Sequence, residues 1–367
     1  MAKSDADRIL ALEGQLANAM AEKSRLSRSL KAATLNKGLL QAIVDELEAI
    51  VLPLDPLPEA QDFRKSEGDI VEEHLVMHQS DEHADEIVEP HTVGGIEHFD
   101  FPVALCRAEQ YVDTVLDFTQ NKLSNYRFPV LHLLQYGDST SGEIHSAVDR
   151  SYYKNMFRNC LAVGQMKALM VRDLAPYFKQ IKVLCLSGNH GRRTLKKEFT
   201  GARNNWDYLI SEITKMHCSH LKNVEFAIPD AFSVNYEVNG WWFNIQHGDN
   251  IPSWNGIPWY GIERKTRRMV ALQNSLGQKI SYFVLGHFHS CSSMADLKGE
   301  VLINGAWPAT SAYSYESFSG YREPMQLLHG VSAKYGISWR LPVKLKNEEK
   351  EKIGPSRYKV ILSSDGM

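Results

Sequence analysis

No apolar stretch in this chain of 367 residues approaches the roughly 20 residues that a membrane-spanning helix requires. A helical membrane protein is therefore excluded. Cysteine is scarce: the five present (Cys106, Cys160, Cys185, Cys218 and Cys291) are scattered, odd in number and without C-x-x-C spacing. That rules against a disulfide framework and against a thiolate zinc site. Cys160 and Cys185 lie in apolar runs and read as buried free thiols. The opening residues Met1 to Arg8 have no apolar core and no small-residue cleavage site, so no secretory signal is read there and a reducing, cytoplasmic compartment is expected. Charge of one sign is also lacking: the formal net charge is −3, so any footprint for nucleic acid must be local. With 43% hydrophobic and 23% charged residues the chain is an ordinary globular one, long enough for one large α/β domain and an appendage.

What the chain does have is five short polar blocks, each behind an apolar run. They are Asp81-Glu82-His83, Gly137-Asp138, Gly188-Asn189-His190, His247-Gly248-Asp249 and Gly286-His287-Phe288-His289. The runs before them, starting at His74, Pro129, Ile181, Trp241 and Ile280, read as strands. Carboxylate, imidazole and amide oxygen are the ligand types that a pair of borderline-hard divalent ions takes. Loops at the carboxyl ends of adjacent strands converge, which is where open α/β sheets bind ligands. A pair of such ions about 3.5 to 4 Å apart can clamp an in-line displacement at phosphorus from both ends. The pair needs a bridging carboxylate, and Asp138, the lone acid of its block, is assigned that place. The i, i+2 spacing of Asp81 with His83 and of His287 with His289 suits an extended segment, where both side chains leave one face. Gly188 and Gly286 are expected to permit close approach of backbone to the cluster.

The order D-x-H, G-D, G-N-H, H-G, G-H-x-H resembles the calcineurin-like metallophosphoesterase superfamily, over roughly residues 73 to 310. The blocks are similar to those of prokaryotic and bacteriophage phosphoesterases of the repair-nuclease kind, and a phage protein would work in the host cytoplasm. The resemblance implies an α/β fold: a β-sandwich flanked by helices. It also implies a ligand set. Asp81, His83 and His289 would bind one ion, Asn189, His247 and His287 the other, with Asp138 bridging. Mn²⁺ is the expected metal, with Fe or Zn²⁺ as alternatives. His190 would stand beside the scissile phosphate and protonate the leaving oxygen. The family usually has an acid after that histidine to orient it; here the next residue is Gly191. Asp249, Asp85 and His78 are candidates to fix imidazole tautomers.

The rest of the chain divides by composition. Ile9, Leu12, Leu16, Ala19, Leu26, Leu30, Ala33, Leu40, Val44, Leu47 and Val51 form an apolar seam, read as an N-terminal coiled-coil segment over 1–52 that makes a homo-oligomer. The alternative is an amphipathic helix pair folded on the catalytic domain. Pro53, Pro56 and Pro58 open a linker over 53–72. The catalytic domain is placed at 73–345 and a C-terminal tail at 346–367, the Lys- and Glu-rich stretch from Lys344 to Lys352 reading as solvated. Helices are expected near 104–123, 153–177 and 206–220. A hairpin of 232–238 with 241–246 is expected to turn on Asn239-Gly240.

The blocks leave the ester open. Arg192, Arg193, Lys196 and Lys197 follow the third block directly, and Arg264, Lys265, Arg267 and Arg268 precede the last. Both clusters favour phosphates flanking a scissile one, and so a nuclease on DNA or RNA. The alternatives are a phosphomonoesterase acting on nucleotide or phosphoprotein, and a metal-containing scaffold with an idle site.

Overall fold

The computed structural model describes residues 38–48, 50–56, 70–144, 149–194, 196, 197, 199, 201–252, 258–296, 299–347, 351 and 355–362, with Met20, Lys23 and Ser24 besides. The chain divides into two units, Met1–Leu47 and Glu48–Met367. In the first, residues 38–47 are helical, as are Met20, Lys23 and Ser24; the helix expected to reach 52 ends at Leu47, residues 48 and 50–52 being non-helical, and the rest of the coiled-coil reading, with most of the linker, lies outside the described residues.

The second unit is a mixed α/β fold with two main sheets. Its strands are β1 (Val71–Glu72), β2 (His74–Gln79), β3 (Tyr126–Arg127), β4 (Val130–Tyr136), β5 (Gln180–Leu186), β6 (Val224–Ala227), β7 (Ser233–Val238), β8 (Trp241–Gln246), β9 (Tyr282–Leu285), β10 (Ser292–Asp296), β11 (Gly299–Ile303), β12 (Met325–Ser332) and β13 (Gly336–Lys344). Its helices are α1 (Phe101–Asp117), α2 (Met156–Leu174), α3 (Trp206–His217), α4 (Trp259–Ser275) and α5 (Ala312–Phe318). One sheet has the order β13-β12-β2-β4-β5-β6 and the other β10-β11-β9-β8-β7. The pairs β2–β4, β4–β5, β5–β6 and β8–β9 are parallel. Parallel strands are covered on both faces, and β2, β4 and β5 are accordingly buried along most of their length, the polar His78, Gln79, His132 and Gln135 included.

The sheets meet face to face. Val76, Leu134, Tyr136, Leu184 and Leu186 of the first pack with Val238, Phe243, Ile245, Tyr282, Val284 and Leu302 of the second in one buried cluster. On the far side of the second sheet, α4 covers Phe283, Leu285, Val301 and Ile303 with Ile262, Met269 and Val270. The hairpin forms as expected: Asn239 and Gly240 both have positive φ, 50° and 86°, the requirement of a type I′ turn. The stretch read as solvated is in part tied down. Leu345 is buried, Lys346 pairs with buried Glu97 at 3.5 Å, and Glu351 pairs with Arg107 at 3.1 Å.

Candidate metal centre

Each of the five blocks follows the carboxyl end of a strand: β2, β4, β5, β8 and β9. Because β2, β4 and β5 run parallel in register, their ends share one edge. Main-chain bonds then tie the loops together: Asp81 N donates to Gly137 O at 3.1 Å, His83 N to Asp138 O at 3.1 Å, and Gly286 N to His247 O at 2.7 Å.

The loops do not continue the strands. Asp81, His83, Asp138, His287 and His289 all have φ between 42° and 67°. The extended-segment account of the i, i+2 pairs is therefore corrected: both members of each pair sit in left-handed turns, and the turns, not the pleat, bring them together. For a non-glycine residue that conformation costs roughly 1–2 kcal/mol, and such strain persists only where the surroundings enforce it. The glycines enforce it by closeness. A Cβ on Gly137 would lie 2.2 Å from Gly188 N, and one on Gly286 would lie 2.5 Å from Asp81 Oδ2.

Three groups of side-chain ligand atoms, each within 4.8 Å of one another, result: Asp81/His83/His289, His83/Asp138/His190 and Asp138/His247/His287. Asn189 joins the last, its Oδ1 lying 3.1 Å from His247 Nε2. All seven residues expected as ligands thus converge, and His190 stands among them. Asp138 adjoins both outer groups.

The contacts inside the cluster suit a cation better than a hydrogen-bond network. His83 Nε2 and His289 Nε2 face each other at 3.3 Å. Asp138 Oδ2 is 2.9 Å from His247 Nε2, yet it is buried without an aligned hydrogen bond. Burial, reinforced by neighbouring imidazoles, holds His83 well below its ordinary pKa and lowers His287 to about 4. Both are therefore neutral, with lone pairs to give. Burial alone would lower His247 as well, but the carboxylates of Asp138 and Asp81 outweigh it and raise it to about 10. Burial likewise opposes the charge on Asp138, which His247 and His190 nevertheless hold well below the carboxylate range. Two buried carboxylates draw positive charge into the centre, and a proton on His247 stands where an ion could. The residues fit a divalent metal.

The surrounding shell was only partly anticipated. His247 Nδ1 lies 2.9 Å from Tyr136 O, and His83 Nδ1 lies 3.3 Å from Ser141 Oγ. His190 Nδ1 is 3.1 Å from Ser141 O, so a backbone carbonyl stands where it can orient the ring in the absence of an acid at position 191. No side chain fits at 191: a Cβ there would sit 2.0 Å from Asn205 Oδ1 and 2.7 Å from Asp207 Oδ2. Asp207 is the residue missed from sequence. Buried in the first turn of α3, it accepts from Gly188 N at 2.9 Å, Asp138 N at 3.1 Å and Ser139 N at 3.0 Å. The signal was present in Asn204-Asn205-Trp206-Asp207, since Asn205 caps α3 through Asp207 N and an acid in a first turn suits the helix dipole. Of the tautomer candidates, Asp85 accepts from Ser141 N at 2.7 Å, supporting the loop that holds two of the imidazoles. His78 turns into the core towards Tyr136 Oη at 2.9 Å, and Asp249 pairs with Lys197.

The basic residues after His190 separate. Arg193 stacks over Trp206 at 5.3 Å from the ring centre, Lys196 is exposed and Lys197 is held by Asp249. Arg192 lines a cavity of about 170 Å³ that includes Gly188, Asn189, Lys197, Phe199, Phe232 and Asn250. On α4, Arg264, Arg267 and Arg268 are exposed beside Tyr260, whereas Lys265 turns inward to Gln246 Oε1 at 2.7 Å and to Asn250.

No protein-family model and no curated protein matches the sequence. Solved structures similar to this chain include an archaeal phosphodiesterase, 11% identical over 73% of this chain and 99% of that one, with a TM-score of 0.34. Another is the phosphoesterase Yfce from E. coli, 12% identical over 74% and 100%, TM-score 0.31. A third is a hypothetical protein from Pyrococcus horikoshii, 9% identical over 77% and 91%, TM-score 0.37. Likeness of this degree concerns outline alone, and the chemistry rests on the side chains described above.

Proposed function

We propose that this chain is a two-metal phosphodiesterase, and that its substrate is nucleic acid. The observation that carries the reading is the place of Asp138, which belongs at once with His83 on one side and with His247 and His287 on the other. A carboxylate so placed would be shared between two ions. Asp81, His83 and His289 would hold one, Asn189, His247 and His287 the other, and Mn²⁺ suits this mixture of oxygen and imidazole donors. When bound, the ions supply charge neutralisation at the transferring phosphoryl group and an activated water.

The protein's own residues do the rest. His190 N donates to Asp138 Oδ1 at 2.7 Å, which fixes the backbone of the G-N-H block against the second. Nδ1–H of His190 donates to the Ser141 carbonyl, so that the doubly protonated ring would give its Nε2 proton to the departing oxygen and remain as the neutral Nδ1–H imidazole. General acid catalysis of this kind contributes about 10²–10⁴ in rate. Asp207 locks three backbone N–H groups of the Asp138 and Asn189 loops, so the donors are held before any ion arrives.

A diester of nucleic acid is favoured over a small monoester by local basic side chains. Arg192 lines the cavity beside Asn189, and α4 carries three exposed arginines, of which Arg267 pairs with Glu263, in a chain whose net charge is −3. Local positive charge of this kind holds the phosphates on either side of a scissile one. The test is hydrolysis of bis-p-nitrophenyl phosphate beside p-nitrophenyl phosphate, with Mn²⁺ and with chelator. Mn²⁺-dependent cleavage that prefers the diester is expected. Preference for the monoester would refute the phosphodiesterase reading.

A further inference from the structure

The cavity beside Gly188 and Asn189 has a lining whose polar groups are largely engaged. Lys197 pairs with Asp249, and Asn250 takes Lys265. Asn205 caps α3 and donates to Gly188 O at 2.9 Å. Thr194 Oγ1 donates to Lys196 O at 2.7 Å, and Asn204 Oδ1 accepts from Arg193 at 3.3 Å. What the cavity offers a visitor is therefore mostly two phenyl rings and one guanidinium. Phe199 is 79% exposed, Phe232 is half-buried, and the Nε of Arg192 is buried with no hydrogen-bond partner among the described residues. Lys197 Nζ stands 5.9 Å from the centre of the Phe199 ring on one face, so a flat ligand is to lie on the other, where covering the exposed ring is favourable. A cavity of about 150 Å³ holds a single aromatic ring, and this one, at about 170 Å³, is of that size.

We propose that this cavity is a subsite for one unpaired nucleotide flanking the scissile phosphate, its base lying on Phe199 and Phe232 and its phosphate on Arg192. The inference rests on the phosphodiesterase reading and goes further, to the strandedness of the substrate. A base inside a duplex is stacked on both faces and cannot lie on a phenyl ring, so the subsite selects single strands, frayed ends or gaps. Because the polar lining is engaged elsewhere, few groups remain to read a base edge. Selection is by the π-face, which every base has, and base identity matters little.

The experiment is fluorescence anisotropy of a labelled oligonucleotide in two forms, as a single strand and as a blunt duplex with its complement. Parent, Phe199→Ala and Arg192→Ala proteins are compared, with bis-p-nitrophenyl phosphate hydrolysis measured alongside. Phe199 is exposed, so its replacement leaves the core intact. The parent is expected to bind the single strand at least about tenfold more tightly than the duplex. Phe199→Ala is expected to weaken single-strand binding about five- to 150-fold, the range seen for loss of one stacked base, and to leave duplex binding where it was. Single strands of different base composition are expected to bind alike. Equal affinity for the two forms, or equal loss from both on Phe199→Ala, would overturn the subsite even if the small diester is cleaved. Absence of diester cleavage with single-strand selectivity intact would instead sink the phosphodiesterase reading and leave the nucleotide subsite standing.

Discussion

Replacing Asp207 by asparagine keeps the shape of the side chain and changes what it can accept. The carboxylate takes two backbone N–H groups on Oδ2, from Gly188 and Asp138, and one on Oδ1, from Ser139. An amide has one accepting oxygen. Its best orientation keeps the pair from Gly188 and Asp138 and turns an NH₂ towards the Ser139 N–H. One bond to a charged acceptor is lost, worth about 1.5–3 kcal/mol, and the two that survive weaken as the acceptor loses its charge. A total of about 3 kcal/mol follows, concentrated on the loops that carry Asp138 and Asn189. Expressed as ligand positioning, that is up to about a hundredfold in metal affinity, since each tenfold is about 1.4 kcal/mol. Calorimetric titration with Mn²⁺ near neutral pH, beside a thermal unfolding scan, measures both consequences. Metal affinity within about twofold of the parent and an unchanged unfolding midpoint would refute the idea that Asp207 organises the centre.

Three further outcomes follow from the same geometry. Gly191→Ala is expected to lose activity and stability together, because its Cβ would meet the Asn205 oxygen that caps α3; a fully active, equally stable variant would contradict this. His190→Ala should lower turnover of a diester by about 10²–10⁴ while Mn²⁺ affinity holds, and a parallel loss of metal would reassign it as a ligand. The core histidines predict acid lability. Burial lowers His78 and His132 to about 3 and His329 well below its ordinary value. The unfolded chain therefore binds protons first, and stability is lost as pH falls from about 6.5 towards 3, each group contributing up to about 1.4 kcal/mol per pH unit. His329→Leu should make urea unfolding less steeply dependent on pH below about 6.5, and an unchanged slope would exclude His329 as a source.

Much of the centre was legible because few residue types serve as metal ligands and because each block follows a largely apolar run that marks a buried strand. β2, β4, β5 and β8 stand within a residue or two of where those runs place them, β9 is shorter at its start, and all seven expected ligands converge. Backbone detail was not legible. Alternation along a strand suggested one face for Asp81 and His83, whereas both lie in left-handed turns that only close packing of neighbouring loops can hold. The orientation of His190 was unreadable for a related reason: its partner is a main-chain carbonyl, and carbonyls leave no mark on residue choice. Asp207 was missed although its identity is visible, because its role depends on α3 docking against loops 19 or more residues earlier. The partners of Lys197 and Lys265 were equally out of reach, so two lysines expected to be free for phosphate prove to be engaged with Asp249 and Asn250.

The central claim is that Asp138 is shared between two ions, and counting ions tests it most directly. Equilibrium titration of the purified chain with Mn²⁺ is expected to give two ions per chain, and Asp138→Asn is expected to lose at least one of them. A single ion per chain in the parent, or two ions retained with Asp138 replaced, would contradict the two-metal account.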